Sequence, residues 1–178
     1  MNDQGRSIPF LTGLAGQNGY TLLGIYLNDH LAGATMGAER ARHLATACRG
    51  SDLGAAVAPI ATAIAEDRRS LLAVMRRLEL PVRRYKVYAG RLGERAGRLK
   101  SNGSLLRRSP LSSLLELELL QIGVQGKICA WDTLRALADH ERRLDPHQLD
   151  GLLDRAREQL RTIDDLRARR AAETFRGP

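Results

Sequence analysis

Apolar residues recur at three- and four-residue intervals along most of the chain, and strand-like alternation is nearly absent. A first helix is predicted from about Thr21 to Cys48, stopping at Arg49-Gly50, where glycine can take the left-handed capping conformation. Ser51-Asp52 opens a second helix that Pro81 ends after about Leu80. Ser109-Pro110 places a capping side chain before a proline at the first helical position and starts a third helix, to about Arg143. Asp145-Pro146 repeats that signal for a fourth, to about Thr174. Roughly 28 to 32 residues each, or about 42 to 48 Å, makes four rods of matched length. The fold class this predicts is all-α, a four-helix bundle. Very short turns join helices one to two and three to four, which makes antiparallel hairpins. Roughly 30 residues separate the hairpins, enough to travel the bundle's length and return the chain to its starting end. Residues 1–19 are expected to form a flexible tail and 20–178 a single domain, with 81–110 as a helical crossover between helices 2 and 3.

Placing residues at 100° per position shows what each helix buries. Helix one carries Leu23, Tyr26, Leu27, Ala34, Gly37, Ala41, Leu44 and Cys48 on one stripe, with His30 at its centre and Glu39 and His43 opposite. Helix two carries Leu53, Ile60, Ile64, Leu71, Val74 and Leu78, with Asp67 in the middle. Helix three is apolar almost all round. Leu111, Leu115, Ile122 and Cys129 form one face, Leu117, Leu120, Val124, Ile128 and Trp131 another, and Glu118, Gln121 and Gln125 run between them. Helix four turns Leu149, Leu152, Leu153, Ala156, Leu160 and Ile163 inward, uninterrupted by carboxylate or imidazole.

Three helices therefore each set one ionisable group on an apolar stripe: His30, Asp67 and Glu118. A buried, unpaired charge costs several kcal/mol, so these groups need partners. The favoured reading is a buried His30–Asp67–Glu118 hydrogen-bond network that fixes helix register; the alternative is a weak metal site.

In its four helices and single long crossing, about residues 20 to 175, the chain resembles the ferritin-like superfamily, and topology rather than motif carries the resemblance. It implies a core di-iron site built from Glu residues and Glu-x-x-His motifs on facing helices. That motif occurs nowhere in this sequence. Glu66-Asp67-Arg68-Arg69 puts arginine in the imidazole position, helix four offers no inward ligand, and Glu39 with His43 at i+4 points away from His30. No metal site and no cofactor are therefore assigned.

Charge sharpens the picture in one place. The net charge is +8, and residues 81–110 account for all of it, with nine basic residues and one acid, Glu94. Within this crossover Arg84, Arg91, Arg95 and Arg98 fall on one helical stripe, a candidate anion-binding face, opposite Gly90, Gly93 and Gly97. Tyr85 and Tyr88 lie nearby, so phosphates of nucleic acid or an acidic lipid surface are candidate ligands. No helix-turn-helix or zinc pattern accompanies the stripe, and packing with solvated arginines is preferred.

Of 28 basic residues 25 are arginine, a bias of GC-rich bacterial genomes. Two cysteines, Cys48 and Cys129, form no disulfide framework and are expected to be small buried hydrophobes in a reducing compartment. The apolar stretch from Ile8 to Ala15 is too short for a secretory signal and nothing is long enough to span a membrane, so a cytoplasmic protein is expected. There is no GxSxG, P-loop or Rossmann fingerprint and no placeable Cys/His dyad. The expected function is non-catalytic, acting through protein–protein contact as a homodimer or with another protein partner. The competing readings are a metal-dependent oxidoreductase or metal-handling protein, and a basic nucleic-acid-associated protein.

Overall fold

The computed structural model describes residues 17–83 and 110–176, and its regular structure among them is entirely helical: α1 Gln17–Ala47, α2 Asp52–Arg77, α3 Pro110–Ala138 and α4 Pro146–Phe175. α1 thus begins inside the stretch expected to be tail. The crossover helix and the arginine stripe Arg84, Arg91, Arg95 and Arg98 lie outside the described residues.

Local chemistry closes each hairpin. Gly50 takes φ +85° beyond the end of α1, in the left-handed region. Ser51, extended, caps α2: its Oγ accepts from the Gly54 N–H at 3.3 Å and donates to the Cys48 carbonyl at 2.7 Å. The turn is tight enough that a Cβ on Gly54 would stand 2.1 Å from the Cys48 carbonyl oxygen, so α1 and α2 can pack this closely only with glycine there. In the second hairpin Asp145 caps α4 by accepting from the N–H groups of His147 and Gln148 at 3.0 and 3.2 Å, with Pro146 at the first helical position.

Two helices end sooner than their patterns suggest. α2 stops at Arg77, before Pro81. The Leu80 N–H returns to the Met75 carbonyl and the Glu79 N–H to the Arg76 carbonyl, with Glu79 at φ 57°. This is a Schellman cap with a glutamate where glycine usually sits, and it folds Leu80 back into the core. α3 ends at Ala138 rather than Arg143, because the chain must turn there to bury Leu144 under the hairpin.

Side-chain bonds give the helix directions. Near the start of α1, Tyr26 Oη meets Thr133 Oγ1 at 3.1 Å, late in α3. Asn28, also early in α1, donates to the Pro81 carbonyl at 3.0 Å, just past α2. Arg77 at the end of α2 donates to Gln148 at the start of α4. α1 and α4 therefore run one way and α2 and α3 the other. Arg83 and Pro110 stand at opposite ends of the bundle. Within each hairpin the helices pack closely, α1 also packs along α3, and α2 and α4 are joined mainly by long side chains.

The core fills the space between the four. α2 buries every residue of its predicted stripe, and α4 all of its own except Leu160, which is half-buried. Helix three resolves into one buried face, Leu117, Leu120, Val124, Ile128 and Trp131, and one outward face on which Leu111, Leu115, Ile122 and Cys129 are exposed. Cys129 is thus not a buried hydrophobe, and Cys48 is only half-buried. On α1 the deepest positions are Leu27, Leu31, Ala41 and Leu44, and His30 is turned toward α3. α1 faces both α2 and α3, so its buried arc is wider than a single stripe.

Candidate functional site

Asp67, the acid in the middle of the α2 stripe, is 2% exposed and sits at the centre of a polar cluster spanning three helices. Lys127 reaches diagonally across the core from α3 and donates to its Oδ2 at 2.5 Å. From α4, Arg155 donates through Nε at 2.8 Å and again through Nη2 to Oδ1, while Gln159 Nε2 donates to Oδ2 at 3.0 Å. Lys127 also donates to Gln159 Oε1. The carboxylate thus accepts four bonds, which fills its acceptor capacity. An ammonium has three N–H donors, of which Lys127 spends two here. Counting one acid and two cations, the cluster carries a net positive charge. Burial pushes the Lys127 ammonium below the usual lysine range, and the Asp67 carboxylate pulls it part of the way back.

Beside this cluster, between the antiparallel α1 and α3, lies a cavity of about 320 Å³. Four glycines line it, Gly33 and Gly37 on α1 and Gly123 and Gly126 on α3, and a Cβ on any of them would meet nothing within 4 Å. Apolar walls come from Ile64, Leu71, Leu120, Val124, Ala130 and Trp131. Lys127 and Asp67 line the inner end. His30 lines the wall edge-on to Tyr26, with ring centroids 4.4 Å apart. Burial lowers the His30 pKa, with the nearby Asp29 carboxylate opposing, so its imidazole is neutral at pH 7. The indole N–H of Trp131 is buried with no hydrogen-bond acceptor among the described residues, an uncommon state for a buried donor.

The expected His30–Asp67–Glu118 network is not what the structure assembles. His30 and Asp67 line the same cavity but share no hydrogen bond, and Glu118 is half-buried on α3 away from it. The partners of Asp67 are Lys127, Arg155 and Gln159, which the helical patterns did not single out. One signal was present: Lys127 is the only lysine outside residues 81–110, and it falls within the apolar middle of helix three, between Val124 and Ile128. Glu39 and His43 are exposed on the far side of α1. Among the described residues no group of three or more His, Cys, Asp or Glu side chains is placed to hold a metal ion, and no helix is long and apolar enough to cross a membrane.

A second polar cluster closes the end of the bundle where α1 starts. Tyr20 donates to Glu141 Oε2 at 2.5 Å, and Arg143 grips both oxygens of that carboxylate, at 3.0 and 2.8 Å, while lying 5.1 Å from the Tyr20 ring centroid. Bonding to Arg143 and then to Tyr20 holds the Glu141 carboxyl down at about 2. Asn28 anchors the chain leaving α2 by accepting from the Arg83 N–H at 2.7 Å.

No protein-family model matches the chain, and no curated protein or solved structure is significantly similar to it.

Proposed function

We propose that this is a non-catalytic, ferritin-like helical bundle that acts through protein–protein contact and associates with a second copy of itself along α1 and α3. The observation that carries the reading is an exposed apolar row on α3, with further exposed apolar residues on the neighbouring α1. Leu115, Leu119 and Ile122 follow one another at helical spacing on α3, with Ile122 68% exposed. Leu22, Ile25 and Met36 lie on the neighbouring α1, with Leu22 67% exposed. Single exposed apolar residues are ordinary, but successive turns of one helix that all expose leucine or isoleucine make a row of the kind that marks an interface, and Met36 of α1 lies level with it. The ferritin-like part of the reading is supported by helix direction: Arg83 and Pro110 at opposite ends of the bundle are what one full-length crossing between hairpins requires.

Sedimentation velocity of the full-length protein tests the association. The wild type is expected to sediment as a dimer at micromolar concentration, and Ile122→Glu as a folded monomer. A wild-type monomer at every concentration overturns the reading, as does a dimer that Ile122→Glu and Leu115→Glu both leave intact.

A further inference from the structure

We propose that the cavity between α1 and α3 is a binding site for a small apolar molecule with a carboxylate head. The inference does not depend on the dimer, since it concerns the cavity lining rather than the exposed row.

Its volume of about 320 Å³ falls at the small end of the range, about 300 to 1,000 Å³, of sites that enclose small molecules. Four glycines on the facing helices line it, Gly37 and Gly126 half-buried and Gly33 and Gly123 exposed, and a Cβ on any of them would meet nothing within 4 Å. Ordinary packing fills such space with side chains, because unfilled volume between helices forfeits dispersion contacts. An apolar guest would restore those contacts.

The inner end decides what the guest's head must be. Asp67 has no acceptor capacity left, being bonded to Lys127, Arg155 and Gln159. Lys127 retains one N–H, and it lines the cavity. The one-acid, two-cation cluster behind it favours an anion over a neutral group and opposes a cation. Asp29, the other acid on the lining, is exposed on α1 beside His30 and across from Lys127, which stands on the facing helix. His30, which makes no hydrogen bond among the described residues and has the Asp29 carboxylate nearby, adds a neutral N–H within the same lining. Lys127 is the charged donor a carboxylate would bond, His30 offers a second N–H elsewhere on the lining, and the Ile64, Leu71, Leu120 and Val124 walls suit a short alkyl or aryl body.

Trp131 makes the proposal directly measurable, because it walls the cavity and is the chain's only tryptophan. Full-length protein is titrated with octanoate, octan-1-ol and octylamine while Trp131 emission is followed. Octanoate is expected to give a saturable change, octan-1-ol to bind about tenfold more weakly for want of the charged hydrogen bond, and octylamine to give none. Gly126→Leu, which projects a side chain into the cavity, is expected to abolish the octanoate response with helicity by circular dichroism unchanged. Lys127→Met is expected to bring octanoate down to the affinity of octan-1-ol. The proposal is overturned if no probe gives a saturable change, which would mean the cavity is closed in the full chain. It is equally overturned if octylamine binds as tightly as octanoate, or if Gly126→Leu and Gly123→Leu both bind octanoate as the wild type does.

Discussion

Asp67→Ala is the substitution that most directly probes what joins the two hairpins. It removes a carboxylate accepting four bonds and leaves two cations behind, but the two are not equally stranded. The Arg155 side chain is 39% exposed and can swing into solvent, whereas that of Lys127 is 12% exposed and keeps only Gln159. The loss therefore comes mainly from Lys127, and deleting one partner of such a buried pair costs about 3 to 5 kcal/mol. Lys127→Met is milder, about 1 to 2 kcal/mol, because Asp67 retains Arg155 and Gln159. In the double variant no buried charge is unpaired, so adding Lys127→Met to Asp67→Ala should restore about 2 kcal/mol rather than subtract. Urea unfolding of all four proteins, followed at 222 nm, measures the cycle. With a urea slope of about 2 kcal/mol per molar, Asp67→Ala moves the midpoint down by about 2 M. Additive losses in the double variant, or a loss under about 1 kcal/mol for Asp67→Ala, would refute the claim that this carboxylate is the obligatory partner of a buried ammonium.

Two further outcomes follow from local geometry. Glu79→Gly should stabilise the protein by up to about 1 kcal/mol, since the Schellman cap holds Glu79 at φ 57° and its long, exposed pairing with Arg143 at 3.9 Å adds little; a lower thermal midpoint in the variant would contradict this. Stability should also fall in two stages on acidification. The lowered pKa of His30 means the unfolded chain takes up a proton first as pH drops below 6.5, so stability declines from there and His30→Gln removes that slope. Glu141, held at about 2 against an ordinary 4.5, contributes fully above 4.5 and is lost as pH falls from 4.5 toward 2. Solvent screening at that surface site limits its share to about 1 kcal/mol. Urea midpoints across pH 2 to 8, with Glu141→Gln as control, separate the stages, and a midpoint constant below pH 6.5 would count against both.

Much of the fold was legible because helices announce themselves locally. Asp145-Pro146 and Ser51 cap where their side chains can reach free N–H groups, and the α2 stripe buries as its spacing requires. The ends of α2 and α3 were not legible. Pro81 is a visible helix breaker, whereas the earlier stop depends on Glu79 accepting a left-handed backbone so that Leu80 can be buried, a tertiary gain with no local signature. Asp67 could be placed inward by periodicity alone. Its partners could not, because Lys127 approaches from the diagonally opposite helix and Arg155 and Gln159 from a helix whose inward stripe looked purely apolar. The cavity was equally hidden: Gly33, Gly37, Gly123 and Gly126 are unremarkable in the sequence, and only the pairing of α1 with α3 sets them face to face.

The division of the Asp67 cluster between hairpins also bears on how the chain assembles. The acid belongs to the first hairpin and every donor to it belongs to the second, so neither can neutralise its own buried charge before they dock. Each hairpin can form from short-range contacts, and the encounter between them is then checked by a single ionic key. Sliding one against the other by a helical turn, about 5.4 Å, would leave apolar faces still matched but separate the ammonium from its carboxylate. Leucines alone would tolerate that slip, and Asp67 and Lys127 make it costly.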